Sequence, residues 1–365
     1  MTRLIGAATV SATLTLCAAA PAFSQAFETR HEIDFDVAAA LADREGVRGG
    51  VHGDFRLRWE AEAVTDAGLR WGGAVDFAAR TRDGRRGLQT RGDTGGRPGL
   101  VTGLGGPGLS SQAAAGLTRG ELFVKSGLLE VHAGHGPTAA RRERIAPPGA
   151  LRLTGVDGAL IDPLGAGLID TGLTLSAPAP QVTVRSRRLA GFALAASYTP
   201  DGDACGPDRC LNAAYGRVEE IVSAAVSFDR RDPRTRARWR ATAGLETGAA
   251  RPGSAQLVLE DPRVFTVQAA RELDGVTVQL NGIHAEEGLE GLQYAAWSAR
   301  ITLESGDWLV DAALGRARSD AADRQGWTAQ VGASRFVGRR GLAGLAVQLQ
   351  DKGGAALIAE TGLRF

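Results

Sequence analysis

Residues 54–63 read Asp-Phe-Arg-Leu-Arg-Trp-Glu-Ala-Glu-Ala. Phe55, Leu57, Trp59, Ala61 and Ala63 fall on one side of an extended chain, and Arg56, Arg58, Glu60 and Glu62 on the other. Successive side chains of a strand point oppositely, so strict alternation marks a strand with one apolar and one wet face. After Val64-Thr65-Asp66-Ala67-Gly68 the pattern resumes, with Leu69, Trp71, Val75, Phe77 and Ala79 opposing Arg70, Asp76, Arg80 and Arg82. Two such runs about a Gly-containing connection make a hairpin.

The theme recurs as far as residue 365. Ala237, Trp239, Ala241, Ala243 and Leu245 oppose Arg236, Arg238, Arg240 and Glu246. Trp297, Ala299, Ile301 and Leu303 oppose Arg300 and Glu304. Leu357, Ala359, Thr361, Leu363 and Phe365 oppose Ile358, Glu360, Gly362 and Arg364. Tracing the pattern gives 16 strands, at 31–41, 51–63, 69–82, 119–126, 129–136, 181–188, 191–199, 217–229, 235–247, 263–271, 275–286, 293–304, 307–317, 326–335, 342–350 and 356–365.

Alternation does not say which face is inside. A soluble sandwich buries its apolar face, whereas an outer-membrane barrel turns that face to lipid and lines a lumen with the other. Three features favour the barrel. Arg and Glu run along the polar faces, Trp and Tyr recur near strand ends, and connections alternate short and long. The expected fold is therefore all-β, a transmembrane antiparallel β-barrel of 16 strands, a size that leaves an aqueous channel. The even count brings both ends of the barrel to the periplasmic side.

Composition agrees. The chain has 365 residues, with 42 basic and 41 acidic side chains and a formal net charge of +1. That balance argues against a nucleic-acid binder, and 44% hydrophobic content is too apolar for a disordered chain. Only Lys125 and Lys352 are lysines, so 42 − 2 = 40 of the basic residues are Arg. Arg3, the apolar run Leu4 to Ala20 and the small residues of Ser24-Gln25-Ala26 form the three parts of a secretory signal. Residues 1–26 are expected to be that signal, and residues 27–365 a single barrel domain. Cys17 follows Leu16, where a lipidation signal wants a small residue. Beyond residue 26 no apolar run is long enough for a membrane helix. Cys205 and Cys210 enclose Gly-Pro-Asp-Arg, a turn-rich stretch in which an oxidising compartment favours a local disulfide.

Four stretches resemble the general diffusion porins of Gram-negative bacteria, particularly those of alphaproteobacteria. Gly53-Asp54-Phe55-Arg56-Leu57-Arg58, continuing through Thr65 to Gly72, looks like the early hairpin of that family. Residues 121–134, Glu-Leu-Phe-Val-Lys-Ser-Gly-Leu-Leu-Glu-Val-His-Ala-Gly, are similar to the strand-turn-strand before the constriction loop. Gly191 to Tyr198 looks like the strand after it, and Thr361-Gly362-Leu363-Arg364-Phe365 resembles the assembly signal. Leu128-Leu129 departs from the usual Phe-Gly turn, and the loop after His135 is richer in Arg than the often acidic loop of the family.

The resemblance implies a homotrimer in the outer membrane, inserted by the assembly machinery through Phe365. Each barrel would pass ions and small polar solutes passively. A long loop, residues 137–180, would fold into the lumen, and its charges would face charges on the wall. The expected constriction residues are Arg141, Arg142, Glu143, Arg144, Arg152, Asp157 and Asp162 on the loop, with Asp170 beside them. On the wall they are Arg56, Arg58, Arg70, Arg80, Arg82, Glu60 and Asp76. Clustered charge tunes passage in a narrow pore. Arg on both borders leans toward anions, while cross-strand ion pairing is the plainer account of each wall Arg.

No other chemistry competes strongly. His132 and His135 are three apart and point to opposite faces of a strand, which does not make a metal site. The Gly-rich run at 103–108 follows no parallel strand, so it is a poor dinucleotide loop. Ser110 and Ser111 lack a nucleophile elbow. No metal, cofactor or catalytic group is expected. A channel specific for an anionic nutrient, an exported β-sandwich binding module and a barrel enzyme remain the alternatives.

Overall fold

The computed structural model describes residues 27–43, 50–80, 100–101, 115–146, 149–158, 169–202, 205–206, 209–210, 216–253, 258–320, 324–338, 340–351 and 354–365. The strands are β1 (Glu28–Asp43), β2 (Gly50–Val64), β3 (Arg70–Arg80), β4 (Ala115–Lys125), β5 (Leu129–Gly136), β6 (Ala179–Ser186), β7 (Phe192–Asp201), β8 (Cys205–Gly206) and β9 (Arg209–Cys210). They continue with β10 (Gly216–Arg231), β11 (Arg238–Pro252), β12 (Arg263–Leu273), β13 (Val276–Glu286), β14 (Gln293–Ser305), β15 (Trp308–Ser319), β16 (Arg324–Val337), β17 (Gly341–Gln350) and β18 (Ala355–Arg364). One short helix, α1 (Ala139–Arg142), follows β5.

Sixteen of these strands close into one antiparallel barrel in sequence order, with β18 returning to β1. They are the 16 strands traced from alternation, shifted at their ends. The seam is tight: Phe365 N donates to Ile33 O at 2.9 Å and Ile33 N to Phe365 O at 3.0 Å. β8 and β9 form a separate two-stranded ladder in which Cys205 and Cys210 are register partners.

Short connections at one end alternate with longer ones at the other. The β12–β13 turn is Asp274-Gly275, with φ of 48° and 79°, the left-handed pair that a two-residue hairpin needs. The β10–β11 turn is built on Asp232. Its carboxylate accepts from Arg234 N at 2.8 Å and from Thr235 Oγ1 at 2.9 Å. Those two bonds, the backbone one first, hold its pKa below the usual carboxylate value. The turn puts Arg236 at φ 60°, so β11 starts at Arg238 and Arg236 does not face the lumen.

The outer face is apolar. Leu57, Trp59, Leu194, Leu280, Ile301, Val331, Leu345 and Leu357 are all exposed there. A continuous exposed apolar belt is hostile to water, and a closed barrel leaves no backbone edge unpaired in hydrocarbon. Together these make a membrane-spanning barrel. Trp71, Trp239, Trp308 and Phe365 sit at the short-turn end, and Tyr198 and Trp327 near the other. Arg271 lies 4.9 Å from the Trp239 ring centroid and Arg335 5.7 Å from that of Trp308, cation–π contacts suited to an interface. Tyr294 departs from the girdle expectation: it faces the lumen and is buried.

Candidate functional site

The connection from β5 to β6 does not lie outside as a cap. It enters the lumen and binds the wall around much of its circumference. Thr138 Oγ1 donates to Glu246 of β11, Ala139 N to Ser197 Oγ of β7 at 2.8 Å, and Ala140 N to Ser223 Oγ of β10 at 2.9 Å. Farther along, Ile145 N donates to Gln268 Oε1 of β12 at 2.7 Å. Arg152 N and Leu153 N donate to the two oxygens of Glu360 on β18, at 2.6 and 3.0 Å. Gln348 of β17 donates to Gly155 O at 3.2 Å. On the return, Tyr294 OH accepts from Asp170 N at 2.9 Å and Glu246 Oε2 from Leu175 N at 2.7 Å.

Apolar docking accompanies these bonds. Val156, Ile169, Leu173 and Leu175 of the loop pack with Val218, Ile221, Val264, Ile283, Ala285, Tyr294, Ala296, Ala313 and Ala317 of the wall. Leu100 and Val101, from the β3–β4 connection, join the same core. Leu100 N donates to Glu287 O at 2.7 Å, and Val101 N to Glu287 Oε2 at 3.0 Å. A second, smaller core joins Leu151 and Leu153 to Ala38, Ala40, Ala346, Ala356 and Ile358. The lumen side of β10–β15 is thus largely filled. This corrects the expectation that charge lines every polar face: the inward residues there mix small apolar groups with buried Ser223, Glu246, Gln268, Gln279, Asn281 and Ser298, because they meet the loop and not open water.

The open passage lies on the other side, between the loop and the β2–β4 wall. Its β2–β4 wall carries Arg56, Arg58, Arg80, Asp76 and Thr118; its loop border carries Arg141, Arg144, Arg152 and Asp157, and Arg300 reaches it from β14. Seven arginines therefore meet two aspartates. The acids that balance the arginines lie at their roots. Asp54 is 1% exposed and accepts from Arg80 Nε at 2.5 Å and from Arg56 Nε at 2.7 Å. Arg58 reaches Glu32 at 3.0 Å, and Arg152 reaches buried Asp36 at 3.2 Å. Arg300 lies 3.6 Å from Asp311 under Gly149 and Gly155, where any Cβ would press on its guanidinium. Asp157 is held by neutral donors: Thr171 N at 2.7 Å, Ser298 Oγ at 2.6 Å and Asn281 Nδ2 at 3.2 Å. Carboxylates sit behind and guanidinium groups sit in front, so an ion in the passage meets positive charge on both borders. This arrangement differs from an acidic loop facing a basic wall.

The structure separates the residues that the sequence grouped together. Arg142 turns away from the passage. Its guanidinium grips Glu121 of β4, at 3.1 Å for the Nη1–Oε1 contact, and His132 Nδ1 lies 3.1 Å from the same Oε1. Glu143 turns toward β6 and β10, pairing with Arg185 and accepting from Ser227 Oγ at 2.5 Å. Arg70 pairs with Glu62 at 3.4 Å, and Glu60 lies 3.8 Å from both Arg119 and Lys125; neither Arg70 nor Glu60 borders the passage. Asp170 binds Gly172 N at 3.0 Å within the loop. Arg82 and Asp162 lie outside the described residues, as does the stretch 1–26. His132 faces the lumen and His135 the exterior, as the strand parity requires. Among the described residues there is no cluster of three or more metal-ligating side chains. The anchoring roles of Glu121, Glu246 and Tyr294 escaped the sequence reading.

A profile described as Gram-negative porin matches residues 7–354 of the chain. No curated protein matches its sequence. Among solved structures, a loop-deletion mutant of OmpT, an outer membrane protein of Vibrio cholerae, superposes with a TM-score of 0.60 at 12% identity, covering 93% of this chain and 100% of that one. An anion-selective porin from Comamonas acidovorans gives 0.60 at 13% identity, again covering 93% and 100%. A mutant of Rh. blastica porin gives 0.54 at 14% identity over the same shares. Identities this low speak for the fold alone.

Proposed function

The chain belongs to the Gram-negative porin family, and from that premise we propose that it is an anion-preferring member. As a porin it is an outer-membrane channel for passive diffusion. The observation that carries the preference is the charge at the passage: seven arginines of wall and loop border it against two aspartates, and Asp36, Asp54 and Asp311 are buried behind Arg152, Arg56, Arg80 and Arg300. At about 6 Å, one unit charge acting through water changes an ion's energy by roughly 0.7 kcal/mol. Several such charges bias a passage that a hydrated ion must share with them, and salt screens the bias over about a Debye length.

The barrel assembles as a homotrimer in lipid, residues 1–26 direct export, and Phe365 contributes to recognition by the assembly machinery. Cys205 and Cys210, register partners in their ladder, form a disulfide, which peptide mass mapping before and after reduction checks.

The test of ion preference is the reversal potential of the purified protein in a planar bilayer under a KCl gradient. An anion-selective sign at low salt is expected. A cation-selective sign would overturn the assignment of charge while leaving the channel intact.

A further inference from the structure

We propose that the passage contains a saturable binding site for a compact, multiply charged oxyanion, shared between Arg56 on the wall and Arg144 and Arg152 on the loop. This rests on the anion preference above and goes beyond it, because preference alone requires only charge and no binding.

Several guanidinium donors at this site are unspent. Arg56 engages Asp54 through Nε alone, and its terminal amino groups have no partner among the described residues. Arg152 gives one amino group to Asp36 at 3.2 Å. Arg144 is the sharpest case. Its nearest carboxylate is Asp157 at 3.8 Å, beyond hydrogen-bond range, and Asp157 is already satisfied by Thr171, Ser298 and Asn281. The buried Nε of Arg144 has no hydrogen-bond partner among the described residues. The loop nevertheless holds this guanidinium in place. It lies over Gly172 and beside Gly158, and a Cβ on Gly172 would collide with it. A positioned, partly desolvated donor without an acceptor is costly. Here Arg56 from the wall and Arg144 and Arg152 from the loop line one open space.

Guanidinium forks match carboxylate and phosphate oxygens at two points, whereas a halide accepts at one. Among the described residues no lysine borders the passage. The ligand chemistry is therefore an oxyanion with two or more charges, a dicarboxylate or a phosphate, able to touch both borders at once. Chloride would pass the same arginines without being held.

The experiment records chloride current through the full-length protein in planar bilayers, with succinate or inorganic phosphate added in steps. The expected result is a block that rises to saturation with either anion, and the stronger blocker identifies the better-fitting oxyanion. Arg144→Lys keeps the charge and loses the fork. It should raise the half-blocking concentration about tenfold, the scale of one charge-assisted hydrogen bond. Arg56→Lys makes the same test from the wall, independently of how the loop tolerates its variant. A chloride current insensitive to both anions, or a block equally strong in both Lys variants, overturns the site even where anion preference stands. A cation-selective reversal potential in KCl alone overturns instead the reading beneath it.

Discussion

Two sectors of one barrel wall carry opposite inward faces. Toward their long-loop ends β12–β15 present Val264, Ile283, Ala285, Ala296 and Ala317 to the lumen, all buried, with Gln268, Gln279, Asn281, Ser298, Arg300 and Asp311 nearer mid-barrel. On β1–β3 it presents Asp34, Asp36, Asp54, Arg56, Arg58, Asp76 and Arg80. Both sectors have the same outward face, because both meet lipid. The inward face is set by what fills the lumen opposite it. Where the loop packs, burial rewards small apolar groups and penalises unpaired charge. Where water runs, ion pairs with exposed tips are tolerated. The loop therefore divides the lumen into a core and a channel, and its position is fixed from the core side.

The largest contrast comes from placing the same charge in each sector. Ala285→Asp buries a carboxylate in the apolar core and should cost on the order of 3–5 kcal/mol, the scale of an unpaired buried charge. Thr118→Asp, at the wet wall, should cost less than about 1 kcal/mol, as an exposed pair does. Denaturation monitored by loss of the heat-modifiable gel shift compares them, and equal losses would dissolve the distinction between the sectors.

Next in size is the pair of carboxylates that anchor the loop. Glu246→Ala leaves Leu175 N and the Thr138 hydroxyl buried without acceptors, a cost of about 1–3 kcal/mol for each. Glu360→Ala likewise leaves Arg152 N and Leu153 N without acceptors beside a buried core, again about 1–3 kcal/mol for each. Protease cleavage at the loop arginines should therefore accelerate in both variants. An unchanged cleavage rate in either would show that its carboxylate does not anchor the loop.

Arg144→Gln removes one passage charge. The anion is stabilised less and the cation repelled less, each by roughly 0.7 kcal/mol, so the anion-to-cation permeability ratio should fall about tenfold at low salt. Arg142→Gln is the matching probe two residues away. Its charge is spent on Glu121, so the ratio should move by less than about twofold. Equal shifts would show that loop charge acts without regard to where each side chain points.

The strands were legible because lipid imposes a rule on every one of them: alternate residues must be apolar whatever the lumen holds. That rule located all 16 strands from runs such as Phe55-Leu57-Trp59. The passage was legible only as a crowd of candidates. Arg141, Arg142, Glu143 and Arg144 are consecutive, and alternation says nothing about a loop. Their separation follows from helical turning. Adjacent Arg141 and Arg142 point to different sides of α1, and the chain leaves the helix at Glu143, so Arg141 and Arg144 border the passage while Arg142 and Glu143 grip the wall. A signal of the filled sector was also present. Ile283, Ala285 and Ala296 put apolar groups on the inward face at the long-loop ends of β13 and β14, which a fully water-filled lumen would not favour. Glu246 and Glu360 could not be told from channel-lining acids, because their partners are backbone amides more than 70 residues away in sequence.

The most direct test of the divided lumen is thiol accessibility during conduction. In a background with Cys205 and Cys210 replaced by Ser, Thr118→Cys and Ala296→Cys are each exposed to a membrane-impermeant anionic thiol reagent in the bilayer. The account requires that Thr118→Cys reacts and the current falls, while Ala296→Cys carries an unchanged current. Rapid loss of current in Ala296→Cys, with Thr118→Cys unaffected, would place the channel where the core is described and contradict the account.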